Sequence, residues 1–267
     1  MDSDAAVVAD LHVHTTASDG QLRLGEIPAA ARAAGLSGVA VTDHDRVHPG
    51  LDAPVTTRDG VTVIRGIELR VDTGTERIDL LGYGVERTDE LDAEIERLQR
   101  NRVERARRIV ACVEERLGVD LALDVHAGVG RPHVARAVDE SDADYGYQAA
   151  FDHLIGDDGP CYVAREIPSF ERGVSLLDSA CSLVSLAHPL RYDDPEAALD
   201  LTAALDAVER YYPYGRPVDP SPIDRAIERH GLVATGGSDA HDRTLGRAGL
   251  AKSAYDAVLS ELPKAQA

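Results

Sequence analysis

Histidines and carboxylates gather at a few points along this chain, each just past a short apolar run. His12 and His14 follow the first run, with Asp19 in the loop beyond; Asp43, His44 and Asp45 follow the second; Gly66-Ile67-Glu68 follows the third. Two more groups come late, Ala187-His188-Pro189 and Gly237-Ser238-Asp239-Ala240-His241. A neutral imidazole offers one nitrogen to a metal ion, and a carboxylate can bridge two ions. Two histidines one residue apart reach a common ion only where the strand end twists, as it does on breaking into a loop. So large a set exceeds the needs of one four-coordinate structural zinc and suits two or three divalent ions. His48, His126, His153 and His230 lie outside these groups and read as ordinary core or surface residues.

The elements that must position these groups alternate strand and helix, the pattern of β/α units around a parallel sheet. Strands are predicted at Ala6–Leu11, Gly38–Thr42, Val61–Val71 (as one or two) and Ile78–Tyr83, with a helix at Leu24–Ala34 closed by Gly35. From Thr88 to Leu117 the chain has no proline or glycine and carries apolar residues at helical spacing, which predicts one long or two abutting helices ending at Gly118. Helical signals continue through Pro132–Ala137 and Tyr147–Ile155. Barrel texture then returns: helices at Phe170–Ala180, Pro195–Leu205 and Ile223–His230, strands at Leu183–Ala187, Ala207–Glu209 and Leu232–Thr235, and a covering helix at Ala254–Leu262. Residues 1–85 and 168–267 therefore read as a β/α barrel, with its polar groups at the strand ends where barrel enzymes place their sites. Residues 86–167 read as a helical insertion packed onto it, since no Gly/Ser linker tethers it.

Length and composition narrow the function. With 267 residues, 43% of them hydrophobic, the chain can bury a sizeable core. No apolar run approaches a membrane span, and the acidic opening, Met1 to Asp10, lacks the basic and apolar regions of a signal peptide, so a cytoplasmic protein is expected. The formal charge is −19, and Lys252 and Lys264 are the only lysines. That balance fits a halophilic, haloarchaeal source and excludes a duplex-binding protein, because such a surface repels long polyanions. Cys112, Cys161 and Cys181 are odd in number and far apart, which predicts reduced thiols serving as small core residues.

Taken together, the motifs resemble those of the PHP proteins, the polymerase and histidinol phosphatase family of metal-dependent phosphoesterases. His12-x-His14 with Asp19, Asp43-His44, Glu68 with Leu80-Leu81-Gly82-Tyr83, His188-Pro189 and Gly237-Ser238-Asp239-Ala240-His241 match its successive motifs. The resemblance implies a distorted seven-stranded β/α barrel of TIM-like kind. It also implies one ion at His12, His14, Glu68 and Asp239, a second at Glu68, residue 79 and His188, and a third at Asp19, His44 and His241. The family commonly has histidine where this chain has Asp79. A carboxylate there can still bind metal and favours hard ions, so manganese is preferred, with iron or zinc as alternatives.

Within the insertion, Gly130-Arg131-Pro132-His133-Val134-Ala135-Arg136 resembles a segment of the subgroup that removes the 3′-phosphate from 3′,5′-nucleoside bisphosphates and trims short RNA from its 5′ end. Proline in a first helical turn is also an ordinary start signal. Arg131, His133 and Arg191 offer donors suited to phosphate oxygens and are the expected substrate contacts, and Glu209 is expected to support the site from behind its ligands. The expected substrate is a small phosphorylated molecule, a nucleotide or short single-stranded RNA, attacked by metal-activated hydroxide, with no membrane partner and the oligomeric state left open. A histidinol-phosphatase-like monoesterase and a catalytically silent metal-binding module are the alternatives.

Overall fold

The computed structural model describes residues 6–265; residues 1–5, half of the acidic opening segment, and residues 266–267 lie outside them. The chain divides into two compact units, Met1–Asp92 with Ile167–Ala267, and Ala93–Glu166.

Eight strands are found among the described residues of the first unit: β1 (Ala9–Val13), β2 (Gly38–Val41), β3 (Val55–Arg58), β4 (Val61–Asp72), β5 (Arg77–Tyr83), β6 (Leu183–Leu186), β7 (Ala207–Tyr211) and β8 (Val233–Gly236). Seven follow one path, β1-β2-β4-β5-β6-β7-β8, and β3 is added against β4. The path bends back on itself, because Ala240, just past β8, bridges Val13 in parallel and Leu250 bridges Ala9. The expected distorted seven-stranded α/β barrel is therefore the fold. β1, β2 and β6 are buried at every position, as their continuous apolar runs require of strands covered on both faces.

The distortion lies at β5. Its pairings with β4 and β6 are antiparallel, whereas β1–β2, β2–β4, β6–β7 and β7–β8 are parallel. The single long β4 makes this possible: residues 62–65 pair with β2 and residues 66–72 with β5. Where those two neighbours diverge stands Gly66, whose added Cβ would fall 2.8 Å from Thr42 Cγ2 and 2.9 Å from the Gly82 carbonyl oxygen. Strand β3 was not predicted. It is reversed onto β4 by Asp59-Gly60, both at positive φ (49° and 80°), the conformation an Asp-Gly hairpin turn adopts.

The helices are α1 (Ile27–Ala33), α2 (Asp89–Leu117), α3 (Arg131–Asp139), α4 (Tyr147–Ala150, running into a π-turn at Phe151–Ile155), α5 (Phe170–Ala180), α6 (Pro195–Asp200), α7 (Ser221–His230) and α8 (Lys252–Glu261). The 88–117 segment is one helix, and the predicted Pro195–Leu205 helix tightens after Asp200 into a 3-10 turn at Leu201–Ala204. No helix among the described residues is long and apolar enough to cross a membrane.

The second unit packs α3, α4 and the π-turn on the later turns of α2, around buried Ile109, Val113, Val134, Val138, Leu154 and Ile155. Here the reading of the cysteines is corrected. Cys112 and Cys161 form a disulfide, with Cα atoms 5.6 Å apart across 49 residues of sequence. Both belong to this one apolar cluster, which brings them together however far apart they stand in the chain. Cys181 remains a free thiol, which burial pushes up to about 12.

Candidate metal centre

Each expected ligand stands where its strand delivers it. His12 lies within β1 and His14 just beyond it; His44 follows β2 and is bridged to Glu68 on β4, in the same register as the β2–β4 pairing but three residues beyond its last pair. His188 follows β6, and Asp239 and His241 follow β8. Because β5 runs the other way, it presents its beginning to the same end of the barrel, which is why Asp79 precedes the Leu-Leu-Gly-Tyr run. Two of these residues adopt left-handed backbone, His188 (φ 30°) and Asp239 (φ 50°), a strain that surrounding structure must hold and that concentrates at functional sites. Gly237 lets the β8 loop approach closely, since a Cβ there would fall 2.3 Å from His12 N.

Together these residues form three groups, within each of which the ligand atoms lie within 4.8 Å of one another: His12, His14 and Asp239; His14, Asp19, His44 and His241; and Glu68, Asp79 and His188, the first two sharing His14. In the first group Asp239 Oδ1 is 3.4 Å from His12 Nε2 and 3.1 Å from His14 Nε2. Glu68 reaches the same two nitrogens with its two oxygens, both at 3.4 Å. Atoms bound to one ion at about 2.0–2.2 Å stand roughly 3–3.5 Å apart, so this spacing is that of a ligand shell. His12 Nε2, His14 Nε2 and Asp239 Oδ1 are moreover buried without a hydrogen bond of good geometry. Buried polar atoms left in that condition are costly unless something else satisfies them, and a divalent cation fits the donor set.

Second contacts fix which nitrogen each ring turns inward. A carboxylate can only accept, so His12 Nδ1 donates to Glu209 Oε1 (3.1 Å), leaving the Nε2 lone pair for an ion. His241 Nδ1 likewise donates to the Asp239 carbonyl at 2.9 Å, and its Nε2 faces Asp19 Oδ1 at 3.3 Å. The charges follow. Burial opposes ionisation of Asp19, Glu68 and Asp239, yet the neighbouring histidines hold all three below the usual carboxylate range. Burial also opposes charge on His241, but Asp19 raises it to about 9. His14 is lowered, by burial and by His241 and His44.

A PHP domain model matches residues 10–155, more than half of the chain. The chain belongs to the PHP domain family. Among its relatives are a 3′,5′-nucleoside bisphosphate phosphatase of Chromobacterium violaceum, 29% identical with 87% of this chain and 86% of that one covered, and a 5′-3′ exoribonuclease of Haemophilus influenzae, 27% identical with 69% of each covered. A phosphoribosyl 1,2-cyclic phosphate 1,2-diphosphodiesterase of Eggerthella lenta is 28% identical, with 89% and 95% covered. A solved Bifidobacterium adolescentis structure assigned to the metal-dependent phosphoesterases shares the fold, with TM-score 0.81, 21% identity and 97% and 98% covered. This PHP chain is accordingly a metal-dependent phosphoric ester hydrolase.

Three supports of the PHP centre were not assigned from the sequence. Asp10 accepts from Ser238 N (2.8 Å), Ser238 Oγ and Gly246 N (2.8 Å), which pins the β8 loop to β1. Asp43 had been grouped with the ligand-type residues. It instead gathers Thr15 N and Oγ1, both at 2.8 Å, and Ser18 Oγ at 2.6 Å, holding the loop that carries Asp19. Tyr212 donates to Asp239 Oδ2 at 2.9 Å. Tyr212 stands just past β7, three residues beyond Glu209 in the same stretch of sequence. Glu209 also accepts from His188 N at 2.7 Å, so one carboxylate orients two ligand loops.

The expected substrate contacts fall in both units. Arg191, in the first, donates to Tyr212 Oη (2.9 Å) and Asp239 Oδ2 (3.2 Å) with half of its side chain exposed. Arg131, in the second, pairs with Asp157 Oδ1 at 2.5 Å and donates to the Ile155 carbonyl at 3.2 Å. His133 Nδ1 accepts from Gly130 N at 3.1 Å and caps the start of α3.

Proposed function

We propose that the protein hydrolyses a phosphate monoester, releasing the 3′-phosphate of a small 3′,5′-nucleoside bisphosphate or acting on short 5′-phosphorylated RNA. In this reading His12, His14, Asp19, His44, Glu68, Asp79, His188, Asp239 and His241 are the residues available to two or three divalent ions. Manganese is favoured because carboxylate oxygens are hard donors. Ions so held supply a Lewis acid for the phosphoryl oxygens and acidify a water nucleophile. Glu209 sets the His12 tautomer, Tyr212 fixes Asp239, and Arg191 binds phosphate from the edge of the cluster.

The observation that carries the two-phosphate reading is the crowding of arginines in the second unit. Arg105 is buried, and burial together with Arg131, Arg165 and Arg102 brings its guanidinium down to about 9. In a chain of charge −19, cations pressed together in this way suit a polyanion. We assign Arg131 and His133 to phosphate binding. The phosphatase and exoribonuclease relatives act, by their names, on substrates of this kind.

A comparison of kcat/KM tests the proposal, in high salt with manganese. Adenosine 3′,5′-bisphosphate should exceed both adenosine 5′-monophosphate and histidinol phosphate, with the 3′-phosphate released. A preference for histidinol phosphate, or for the cyclic diester that the Eggerthella lenta relative's name describes, would replace this substrate and leave the metal chemistry in place. Metal uptake with no phosphate released from any ester would make the centre a binding module. The same assay run across salt concentrations tests the high-salt setting that the acidic composition supports.

A further inference from the structure

Arg70 and Asp79 are register partners on β4 and β5. Their side chains meet at two points, Arg70 Nε with Asp79 Oδ1 at 2.8 Å and Arg70 Nη2 with Oδ2 at 2.6 Å. Asp79 is almost wholly buried. Its Oδ2 is also the oxygen turned toward His188 Nε2, 3.7 Å away. The atom that Glu68, Asp79 and His188 would share with an ion thus already accepts a guanidinium proton.

The other arginine at the centre makes the contrast. Arg191 touches Asp239 through Oδ2 alone, leaving Oδ1 to face His12 and His14. Arg70 takes both oxygens of its partner. A two-point guanidinium–carboxylate pair is among the stronger polar contacts. A divalent ion entering beside it meets a like charge where the dielectric is low.

We infer that Arg70 is a built-in cation standing in for one metal ion. The centre then takes two divalent ions tightly, at His12–His14–Asp239 and at Asp19–His44–His241, with Glu68 between them. At the third position the guanidinium neutralises Asp79, and His188, 3.3 Å from Glu68 Oε1, positions that glutamate. The inference rests on the metal-centre reading proposed above and fixes its ion count and the function of Arg70.

The test is manganese titration of metal-free, full-length protein, with bound metal measured by elemental analysis after gel filtration. Wild type should retain two equivalents. Arg70→Met should retain a third, bound at least roughly tenfold more tightly than any third ion in wild type, while Arg70→Lys, which keeps the charge, should stay at two. Three equivalents in wild type, or two in a folded Arg70→Met protein, would overturn the inference. Should Arg70→Met not fold, Asp79→Asn decides: two equivalents retained supports it, and a fall to one makes Asp79 a ligand and overturns it. Wild type retaining none would overturn both this inference and the metal-centre reading, whereas an unexpected substrate would touch neither.

Discussion

The two units treat buried charge in opposite ways. In the first, histidines and carboxylates delivered by β1, β4 and β8 face one another at 3.1–3.4 Å, and several of the cluster's buried atoms make no good hydrogen bond. In the second, the arginines are engaged at close range: Arg131 with Asp157, Arg97 with Glu94 (2.6 Å) and Arg105 with the Val163 carbonyl (2.5 Å). The first unit's polar atoms converge on a space between them, and the second unit's point into its own backbone and side chains. A site that takes cations is built from donors held apart by second contacts such as Glu209. In the second unit such close contacts, together with a disulfide, hold in place the arginines proposed above to meet phosphate.

The largest expected effect breaks the first half of this comparison. Glu68→Gln removes the carboxylate that faces His12, His14, His44 and His188, and should lower kcat/KM by about a thousandfold or more, roughly 4 kcal/mol. Bound manganese should fall in parallel, by elemental analysis. Full metal content in that variant would mean that Glu68 is not the shared ligand.

Next in size is the disulfide. Cys112→Ser should cost about 2–4 kcal/mol of stability in the second unit, the usual range for a cross-link over a loop of this length. Calorimetric unfolding, read beside metal content, separates the units: a lower transition with unchanged metal is expected. Loss of metal in Cys112→Ser would show that the units do not behave as separate bodies.

Arg131→Ala should act on substrate alone. Loss of one charge-assisted contact, about 1.5–3 kcal/mol, should reduce kcat/KM for the bisphosphate ten- to a hundredfold and that for the monophosphate much less. Equal losses on both esters would return Arg131 to a structural partner of Asp157.

The smallest effect is set by pH and sharpens the picture of the ligand shell. Asp19 raises His241 to about 9, so below that pH the metal-free protein holds a proton that an ion must expel. Metal affinity should therefore rise with pH, about tenfold per unit for each proton displaced, and level off above about 9. Titration in buffers of different ionisation enthalpy counts those protons. Affinity independent of pH between 6 and 9 would contradict the raised His241.

The strand ends were legible because two signals coincide there, an apolar run stopping and polar ligand types beginning. His12, His14, His44, His188, Asp239 and His241 could be gathered on that basis before any geometry was known. Strand direction was not legible. Residues 77–83 alternate identically in either sense, so nothing local showed that β5 is reversed or that Asp79 would face Arg70 across β4. The β3 hairpin hung on one Asp-Gly pair in an otherwise polar stretch. The disulfide was hidden because pairing depends on tertiary proximity within the second unit's core, while the odd number and wide separation of the cysteines suggested isolation.

The antiparallel pairing of β5 with β6 joins Leu80 to Leu186 and Tyr83 to Leu183, so the whole second unit lies in the connection between two adjacent strands. Closing a flexible loop costs about (3/2)RT ln n, only about 0.6 kcal/mol for each doubling of its length, so the insertion is cheap for equilibrium stability. Its weight falls on folding rate, because contacts distant in sequence must wait for the intervening chain. β1, β2, β3 and β4 are contiguous and can pair early, whereas the ladder that brings His188 toward Glu68 and Asp79 forms late. Sequence separation thus predicts that the metal-binding end of the barrel is completed after the unit inserted within it has had time to fold.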